Sequence, residues 1–545
     1  MSRAAERETV RISVDHVCDV LVAGAGIAGI MAAIEAAEAG CSVVLLSKGE
    51  TFSGSSFYPG TWGLGLIGPA DPSDRQDLAA TIREVGCGMA DPAMVETFVD
   101  GISPAIERVR RMGVRLRRAQ SSEKEFIPCF DHKHRDWNGI EFASAREVFS
   151  QRMDALGITR LPHCELLELV VQDGCVCGAI AAEGDSLRCF GCKAFVLATG
   201  GYGSLFEERL CTDDVEGIGQ ALALHAGCTL INLEFMQMMP GYLSPAYKTI
   251  FNEKTFRFTQ LSHPDGSPLL DEETEKLLVQ RSTHGPFTAR LDSKLVDLAI
   301  FRACLANKSG VTVRYQETLR QNPPEFVKTY FDWLAETKHL TMDDPIQIGI
   351  FAHAANGGVR IAPDGSTGVP GLFACGEATG GMHGADRIGG LSTANGLVFG
   401  GKAGRAAAVF CRQAECPPVD VLFDLWHTPA PGQPLECLRA AMTRAAMIER
   451  EEAGLAAAEQ EVTEMQKGLA KTPGGAVRQV AESRRLALRF ETALAILKAA
   501  RLRRESRGSH YRSDFPQQDP EQAYPILVKK TDSGTTAQFQ EGWQG

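Results

Sequence analysis

The chain has 545 residues and a formal net charge of −12 at pH 7, and 44% of its residues are hydrophobic. This length exceeds that of an ordinary single domain, so about two or three folded units are expected. Nucleic-acid and anionic-membrane binding depend on basic patches, and the sequence contains no run rich in Lys and Arg. The composition therefore favours an enzyme that acts on a small molecule, without a nucleic-acid partner.

The N-terminal segment and the cysteines predict a soluble cytoplasmic protein. Residues 1–20 mix charged and apolar side chains without the apolar core of a signal peptide, and no apolar run is long enough to span a bilayer. The 16 cysteines are scattered along the chain, which suits reduced thiols better than a disulfide framework. Cys189 and Cys192 have CxxC spacing, but no second pair follows at zinc spacing, so we interpret both as strand residues and predict no metal site.

The strongest local signal lies in residues 18–50. An apolar, strand-like run leads to Gly24, Gly26 and Gly29, and an alanine-rich helical stretch and a second strand-like run follow. In such a unit the first glycine makes a tight turn, the second lets the backbone approach a pyrophosphate, and the third lets the helix pack against the strand. The N-terminus of the helix then receives the phosphates. This pattern predicts a bound dinucleotide.

The second strand of such a unit normally ends in a carboxylate that binds the adenosine ribose. Here Ser47 and Lys48 stand at that place, with Glu50 as a less well-placed substitute. Further strand-like runs that end in glycines follow at residues 195–203 and 368–380. Because distant chain segments commonly grip a long flavin nucleotide, this recurrence favours FAD over NAD.

Taken together and in order, the motifs resemble those of the fumarate reductase and succinate dehydrogenase flavoprotein family, which includes L-aspartate oxidase. The resemblance runs from about Cys18 to Pro516 and rests on VAGAGIAG, LLSKG, GSSFYPG, LATGGYG, TDDVEGIGQALALHAG, LEFMQ, VPGLFACGEATGGMHGADRIGG and ESRGSHYRSDFP. It implies an α/β fold in which a Rossmann-like FAD-binding domain is interrupted by an α+β capping domain and followed by a C-terminal helical domain.

The pattern along the chain agrees with that layout. One internal segment loses the strand–helix alternation and contains polar turns, and the C-terminal region holds two long helical stretches separated by Pro473-Gly474-Gly475. A final stretch rich in Thr, Gln and Gly is typical of disorder. The predicted units are an FAD-binding domain in two parts (1–228 and 346–415), a capping domain (229–345), a C-terminal helical domain (416–528) and a disordered tail (529–545).

For the substrate, the resemblance points first to Arg387 and His353. Arg387 matches the arginine of the family motif HGANRLGG, which forks onto a substrate carboxylate beside the flavin; a guanidinium is planar, always charged and able to hold a carboxylate at two places. His353 matches the histidine of the family segment HYTMGG, although Ala355 and Asn356 replace its Thr-Met, and would hydrogen-bond a carboxylate or carbonyl. A lone histidine or arginine is more often structural, but these positions within motifs favour function.

Arg290 falls where the family places the arginine that delivers or removes a proton. The resemblance implies that hydride passes between the flavin and one carbon of a C–C bond while this arginine serves the neighbouring carbon. Glu253 is a candidate relay partner and Arg257 another, although IFNEKTFRF matches the family segment TEGxRGEGG poorly. Ordinary surface charges are an equally good interpretation of Glu253 and Arg257.

The most informative departure from the family is Met239. The family segment EFVQYHPT puts a histidine on the second carboxylate of the substrate, whereas this chain reads EFMQMMPG at residues 234–241. Methionine donates no hydrogen bond and is soft and apolar. We therefore hypothesise a substrate with one carboxylate or another electron-withdrawing group and a less polar substituent towards Met239. Trp62 would add apolar surface beside the flavin, unless both side chains only pack the core.

Covalent flavin attachment is the second departure. Respiratory members use a histidine in the segment RSHT, and Ser55 stands at the corresponding place, so non-covalent FAD is expected. The motifs assign the following residues to cofactor binding: Gly24, Gly26, Gly29, Ser47, Lys48, Ser55, Gly200, Gly201, Asp214, Glu377 and Ser392.

Three functions remain open at this stage. The first is an FAD enzyme that reduces an activated C=C bond next to a carboxylate, or runs the reverse dehydrogenation. The second is L-aspartate oxidase, in which Glu123 or Glu125 would contact the substrate amine. The third is a flavoprotein subunit of an electron-transfer complex. Because the sequence has no cluster-binding cysteine run or haem CxxCH motif, electrons must come from a separate donor or leave to oxygen or a quinone, and an iron–sulfur or flavin protein is a candidate partner.

Overall fold

The computed structural model of the protein describes residues 8–118, 130, 131, 133–416, 419–532 and 534–544. Glu123 and Glu125 lie outside the described residues. The elements up to residue 231 are β1 (Glu8–Ser13), β2 (His16–Ala23), α1 (Ile27–Glu38), β3 (Val43–Leu46), β4 (Leu64–Gly68), α2 (Arg75–Val85), α3 (Pro92–Arg111), β5 (Leu116–Arg117), β6 (Asp136–Ile140), α4 (Phe142–Ala155), β7 (Thr159–Leu161), β8 (Cys164–Gln172), β9 (Cys175–Glu183), β10 (Ser186–Leu197), α5 (Ile218–His225) and β11 (Leu230–Ile231).

The remaining elements fall into a middle group and a C-terminal group. The middle group is β12 (Met236–Ser244), β13 (Thr259–Ser262), α6 (Glu272–Glu275), α7 (Leu278–Arg281), α8 (Lys294–Ala306), β14 (Val311–Tyr315), α9 (Glu317–Gln321), α10 (Glu325–Lys338) and β15 (Ile346–Ala355). The C-terminal group is β16 (Gly358–Arg360), β17 (Leu372–Ala374), β18 (Thr379–Gly380), α11 (Leu391–Cys411), β19 (Asp420–His427), α12 (Gly432–Ala446), α13 (Glu452–Gly468), β20 (Thr472–Pro473), α14 (Val477–Leu502), β21 (Ile526–Thr531) and β22 (Gly534–Phe539).

The largest sheet has the strand order β7-β3-β2-β10-β9-β8, and β17 pairs with the end of β10. The neighbours β7, β3, β2, β10 and β17 run parallel, whereas β8, β9 and β10 form an antiparallel meander. The central stretches of the parallel strands β2, β3, β10 and β17 consist of buried apolar residues because helices cover the sheet. Cys189 and Cys192 both lie in β10 and are buried, and burial raises the pKa of the Cys189 thiol to about 11.

Helices α1 and α11 pack on each other through glycines of α11. A Cβ at Gly400 would lie 2.5 Å from the carbonyl oxygen of Ala28, and one at Gly404 would lie 2.3 Å from that of Ala32. The two backbones can approach this closely only where a side chain is missing. Since α11 begins at Leu391, directly after the loop that carries Arg387, this contact fixes that loop against the turn between β2 and α1.

The middle group forms the predicted capping unit. Its antiparallel sheet has the order β12-β15-β14-β13, with helices α6 to α10 inserted between its strands. Because β15 pairs with both β12 and β14, residues 346–355 belong to this sheet, and the capping unit extends further than the predicted boundary at residue 345.

The C-terminal group contains the predicted helical hairpin, in which α13 and α14 pack on each other on either side of Pro473-Gly474-Gly475. The prediction of a disordered tail over 529–545 was wrong. Strand β21 pairs with β11, and β22 pairs with β21, so residues 526–539 add two strands to the sheet β18-β16-β11-β21-β22. Ile526 and Val528, just before the predicted tail, are fully buried there. Their burial stabilises strand β21, although the composition of the residues that follow is polar.

Two smaller sheets complete the fold, with strand orders β4-β6-β5 and β1-β19-β20. Among the described residues, no helix combines the length and the apolar character that crossing a lipid bilayer would need. The same residues contain no cluster of three or more His, Cys, Asp or Glu side chains placed to hold a metal ion.

Candidate active site

The turn between β2 and α1 can take this shape only because Gly24 and Gly29 carry no side chains. Gly24 has φ +112°, and a Cβ there would lie 2.1 Å from the carbonyl oxygen of Ala198, at the end of β10. A Cβ at Gly29 would lie 1.9 Å from the carbonyl oxygen of Gly24. The predicted strand, turn, helix and second strand are therefore all present, and the N-terminus of α1 lies at the carboxyl edge of the sheet, where phosphates bind in this architecture.

This turn opens on a cleft with an empty volume of about 760 Å³. Most of the predicted cofactor residues line it: Gly24, Gly26, Ser47, Lys48, Ser55, Gly200, Asp214 and Glu377. Gly29 and Gly201 do not line the cleft. A Cβ at Gly201 would lie 2.6 Å from Oε1 of Glu377. Ser392, the remaining predicted residue, lines a second cavity.

One end of the cleft is charged. Lys48 forms an ion pair with Glu216, which is buried and also pairs with Arg489 of α14. Burial, together with the nearby Arg485 and Arg489, lowers the pKa of the Lys48 ammonium to about 7. Sequence reasoning missed Glu216, although it stands two residues after Asp214 in the motif TDDVEGIG. Its partners are distant in the chain, so the sequence contains no sign of the ion pairs.

Glu377 marks the junction of the two cavities. Its carboxylate accepts hydrogen bonds from the Ser55 hydroxyl at 2.8 Å and from the backbone N–H of Ala355 at 3.0 Å. Burial raises the pKa of this carboxyl group. Glu377, Ser55, Ala28 and Ser56 line both cavities, so the cleft continues directly into the second cavity.

The second cavity has an empty volume of about 1160 Å³ and brings Arg387, His353 and Met239 together. Arg387 is 7% exposed; its Nη1 donates a hydrogen bond to the carbonyl of Ile388 at 3.2 Å, and its own carbonyl accepts one from Nε2 of Gln237 at 3.1 Å. Burial and the neighbouring Arg387 lower the pKa of His353 to about 4. His353 is therefore neutral at pH 7 and can donate or accept one hydrogen bond beside a fixed positive charge.

The lining of this cavity also includes apolar residues. Met239 is 6% exposed and packs in a cluster with Tyr58, Leu210 and Phe351. The Tyr58 hydroxyl donates a hydrogen bond to the carbonyl of Lys248 at 2.5 Å, so its polar atom is already engaged. The cavity therefore combines a cationic group with apolar lining residues.

The loop that carries Arg387 is held from two directions. The backbone N–H of Ala385 donates to the carbonyl of Gly86 at 3.0 Å. The Ala385 carbonyl accepts from the Ser509 hydroxyl at 2.9 Å, and the carbonyl of Gly508 accepts from the backbone N–H of Ala289 at 2.7 Å. The C-terminal motif ESRGSH thus joins the loop that carries Arg387 to the capping segment that carries Arg290.

Arg290 does not line the second cavity. Its Nε donates to Oδ2 of Asp386 at 3.2 Å, and its guanidinium carbon lies 5.5 Å from the centre of the Phe130 ring. Asp386 is fully buried and also accepts from the Thr288 hydroxyl at 2.7 Å. Sequence reasoning did not single out Asp386, although it replaces the asparagine of the family motif HGANRLGG.

Glu253 and Trp62 also lie outside the cavity lining. Glu253 is buried at the start of a 3-10 turn, Glu253–Phe258. Arg257 of the same turn donates from Nε to the Ser282 hydroxyl at 2.8 Å. Trp62 packs against helix α10, with its ring centre 5.1 Å from that of Tyr330. This contact joins the loop before β4 to the capping unit. Trp62 therefore does not line the cavity, although its neighbours in the chain do.

Comparison with known proteins agrees with this architecture. Residues 19–393 match the family model described as FAD binding domain, and residues 436–539 match the one described as fumarate reductase flavoprotein C-term. The chain therefore belongs to the family of FAD-dependent oxidoreductases that contains the fumarate reductase and succinate dehydrogenase flavoproteins. The family, the fold class and the FAD cofactor predicted from the sequence are confirmed.

Individual relatives carry two different activities in their names. A fumarate reductase (CoM/CoB) subunit from Methanothermobacter marburgensis is 27% identical, and the alignment covers 94% of this chain and 97% of that protein. L-aspartate oxidase from Mycobacterium bovis is 28% identical, with 94% and 95% covered. The solved structure of Mycobacterium smegmatis Sdh1 in complex with UQ1 shares the fold, with a TM-score of 0.80, 24% identity and coverage of 97% of this chain and 95% of that one.

The residues of the cleft fit FAD. The glycine turn provides the close backbone approach that a pyrophosphate needs, and Ser55 and Glu377 place polar atoms where the cleft meets the substrate cavity. The flavin end of a dinucleotide whose phosphates lie at α1 would therefore face Arg387 and His353.

Proposed function

We propose that the protein reduces an activated C=C bond next to a carboxylate, or runs the reverse dehydrogenation, on a substrate less polar than fumarate. One observation carries the proposal: the cavity beside the predicted flavin position is lined both by Arg387 and His353 and by the apolar residues Met239 and Leu210. When bound, FAD supplies hydride transfer to or from carbon. The residues of the chain bind and orient the substrate and handle its proton.

Arg387 holds the substrate carboxylate. Its guanidinium can make two parallel hydrogen bonds to one carboxylate, and the adjacent Gly389 and Gly390 leave the cavity free of bulk at that point. His353 is neutral and adds one hydrogen bond without a second charge. Such an arrangement draws electron density from the C=C bond and fixes its distance from the flavin.

Met239 limits what the opposite end of the substrate can be. A second carboxylate there would lose its hydration and gain no hydrogen bond from the thioether, which costs about 1–3 kcal/mol or more for a charged group. An alkyl or aryl substituent would instead bury apolar surface against Met239 and Leu210. The geometry therefore favours a monocarboxylate.

The proton of the neighbouring carbon is assigned to Arg290, with Glu253 as the relay candidate. Arg290 is held by Asp386 and lies outside the cavity lining, so this role requires its side chain or the capping segment to move inward when substrate binds. Gly508 connects the two segments that would move relative to each other. Its carbonyl accepts a hydrogen bond from the segment of Arg290, and it packs against Ala385 of the loop that carries Arg387.

Anaerobic reoxidation of the reduced flavin tests the proposal. We expect fast reoxidation by 2-alkenoic acids with an apolar substituent and slow reoxidation by fumarate. Met239→His should improve the rate with fumarate relative to the apolar acids, whereas Met239→Leu, the matched control, should keep the wild-type preference. Strong activity of the natural protein on fumarate would refute the assignment of Met239.

L-aspartate oxidase is the second candidate, because several relatives with that name align over most of the chain. In this case L-aspartate would reduce the flavin and air would reoxidise it. Met239 argues against it, since aspartate also carries two carboxylates. Flavin reduction by L-aspartate that is as fast as reoxidation by any alkenoic acid would favour this second candidate.

We further propose that FAD is bound without a covalent bond and that a separate protein exchanges electrons with it. Ser55 stands where a covalent attachment would be made, and its hydroxyl is engaged with Glu377. An iron–sulfur or flavin protein is the expected partner, and a cytoplasmic location is expected. The relative from Methanothermobacter marburgensis is named as one subunit of a larger enzyme, which supports an electron-transfer complex.

A further inference from the structure

The arginine predicted to handle the proton is held by a buried carboxyl group outside the substrate cavity. Nε of Arg290 donates to Oδ2 of Asp386 at 3.2 Å, and the Thr288 hydroxyl donates to the same oxygen at 2.7 Å. Oδ1 of Asp386 has no hydrogen-bond partner among the residues that the structure describes. The side chain of Asp386 is 0% exposed and that of Arg290 is 27% exposed. An enclosed carboxyl group thus contacts an arginine that itself reaches solvent.

The surroundings of Asp386 allow its carboxyl group to hold a proton. The charged and titratable groups around it are Arg290 of the capping segment, Cys87, Glu505 and Arg507 of two neighbouring segments, and His383 and Arg387 of its own loop. Burial raises the pKa of the Cys87 thiol to about 12 and lowers that of His383, so both are neutral at pH 7. Glu505 pairs with Arg507 at 2.6 Å. Burial raises the pKa of Asp386 to about 7 against the opposing effect of Arg290, so this group exchanges its proton near neutral pH.

Arg290 needs a source of protons if it serves the substrate. A guanidinium that gives a proton to carbon becomes a neutral guanidine, and it must recover one proton in each turnover. Because the pKa of a guanidinium lies above about 12, the return of a proton from a carboxyl group is strongly favourable. The segment IFNEKTFRF matches the family segment TEGxRGEGG poorly, whereas an acid replaces the asparagine of HGANRLGG at the contact with Arg290.

We infer that Asp386, rather than Glu253, returns the proton to Arg290 in each turnover; the inference rests on the proposed function. Arg290 turns into the cavity as a guanidinium and gives one proton to the carbon beside the one that receives hydride. It returns to Asp386 as a neutral guanidine and takes the proton of the carboxyl group, which leaves a guanidinium and a carboxylate. The carboxylate then takes a proton from water. In the reverse dehydrogenation the same steps run backwards, and Asp386 acts on the substrate only through Arg290.

Comparison of the first turnover with later turnovers tests the inference on the full-length holoenzyme. Stopped-flow mixing of the dithionite-reduced protein with an apolar 2-alkenoic acid gives the first turnover, and excess reduced benzyl viologen drives the later ones. Asp386→Asn keeps the size of the side chain but carries no acid proton. Because Arg290 starts charged, we expect the first turnover of this variant to stay within about twofold of the wild-type rate and the later turnovers to slow by about tenfold or more. A purely structural role of Asp386 would slow both phases equally.

The matched control is Asp292→Asn, an exposed substitution in the same capping segment, which should behave as the wild-type protein in both phases. The natural protein provides a second measurement that needs no variant. Its later turnovers should slow as the pH rises above about 7, where Asp386 loses its proton, while its first turnover stays constant.

Three results would each overturn the inference: a slow first turnover in Asp386→Asn, later turnovers in this variant as fast as in the wild-type protein, or slow later turnovers in Glu253→Gln alone. Failure of the proposed function is distinguishable from these results. In that case no 2-alkenoic acid would reoxidise the flavin even of the wild-type protein, and the inference would fall together with the proposed function.

Discussion

Nε of Arg290 lies 3.2 Å from Oδ2 of Asp386, the residue directly before Arg387. Asp386 is fully buried, and the Thr288 hydroxyl donates to the same oxygen at 2.7 Å. A single carboxylate thus ties the capping segment to the loop that carries Arg387. The family motif HGANRLGG has an asparagine at the position of Asp386. An ionisable carboxyl group at this contact with Arg290 is therefore a property of this chain.

The first prediction concerns the pH dependence of stability. Burial raises the pKa of Asp386 from 3.8 to about 7, although Arg290 opposes the shift. The folded protein therefore keeps a proton on this carboxyl group that the unfolded chain has lost. Its contribution to the free energy of unfolding is fully present below about pH 4, falls by up to about 1.4 kcal/mol per pH unit, and is lost by about pH 7.

Urea unfolding at pH 5, 6 and 7 measures this contribution. Asp386→Asn should show a shallower decline of the free energy of unfolding over this range than the wild-type protein. Asp292→Asn, an exposed substitution in the same capping segment, should keep the wild-type slope. Parallel declines in all three proteins would contradict the prediction.

The second prediction concerns the fork of Arg387. Arg387→Lys keeps the charge but loses the two parallel hydrogen bonds, so we expect kcat/KM for the alkenoic acid to fall by about 30-fold or more. Steady-state kinetics at constant flavin content measure the loss. Arg405→Lys, on an exposed position of α11, is the control and should leave kcat/KM unchanged. A loss of less than about threefold in kcat/KM for Arg387→Lys would show that the guanidinium does not hold the carboxylate through two hydrogen bonds.

The third prediction concerns the contact between α1 and α11. Gly400→Ala would place a methyl group 2.5 Å from the carbonyl oxygen of Ala28, and we expect a loss of about 1–3 kcal/mol in the free energy of unfolding. At Gly401 the nearest atoms belong to the flexible side chain of Arg405, at 3.4 Å. Gly401→Ala should therefore be neutral or stabilise by up to about 1 kcal/mol.

Thermal unfolding of the two variants measures the difference on one helix. The expected order of Tm is Gly401→Ala at or above the wild-type protein and Gly400→Ala below it. Equal shifts in the two variants would mean that the helices can separate to admit a methyl group.

The fourth prediction concerns the attachment of FAD. Precipitation with trichloroacetic acid should leave the flavin in the supernatant, because Ser55 cannot form the bond that a histidine makes at this place. A yellow pellet would contradict it. Ser55→Ala removes the hydrogen bond to Glu377 and should weaken FAD binding by several-fold, measured by flavin fluorescence on dilution.

The sequence predicts best what is encoded by neighbouring residues. Gly24, Gly26 and Gly29 lie within six consecutive residues, and the clash that a Cβ would make at Gly24 explains why glycine is required there. The positions of Arg387 and His353 followed from motifs, and the structure brings both into one cavity with Met239.

Contacts between distant segments could not be predicted in this way. Arg489 and Glu216 are separated by 273 positions, and Arg290 and Asp386 by 96. The tail failed for the same reason. Its composition is polar, but its strand β22 pairs with β21, and β21 is joined to β11 through Leu527 and Val528, just before the tail. Composition contains no information about a partner strand as distant as β11.

The hydrogen bond from Ser509 to Ala385 also has a consequence for the order in which the protein is made. The two residues are 124 positions apart, so the ribosome adds Ser509 long after the glycine turn and the loop of Arg387 have left it. Until Ser509 has been added, the loop of Arg387 lacks the hydrogen bond that this hydroxyl donates to the carbonyl of Ala385. A chain shortened before the ESRGSH motif would therefore carry Arg387 in a loop without this support.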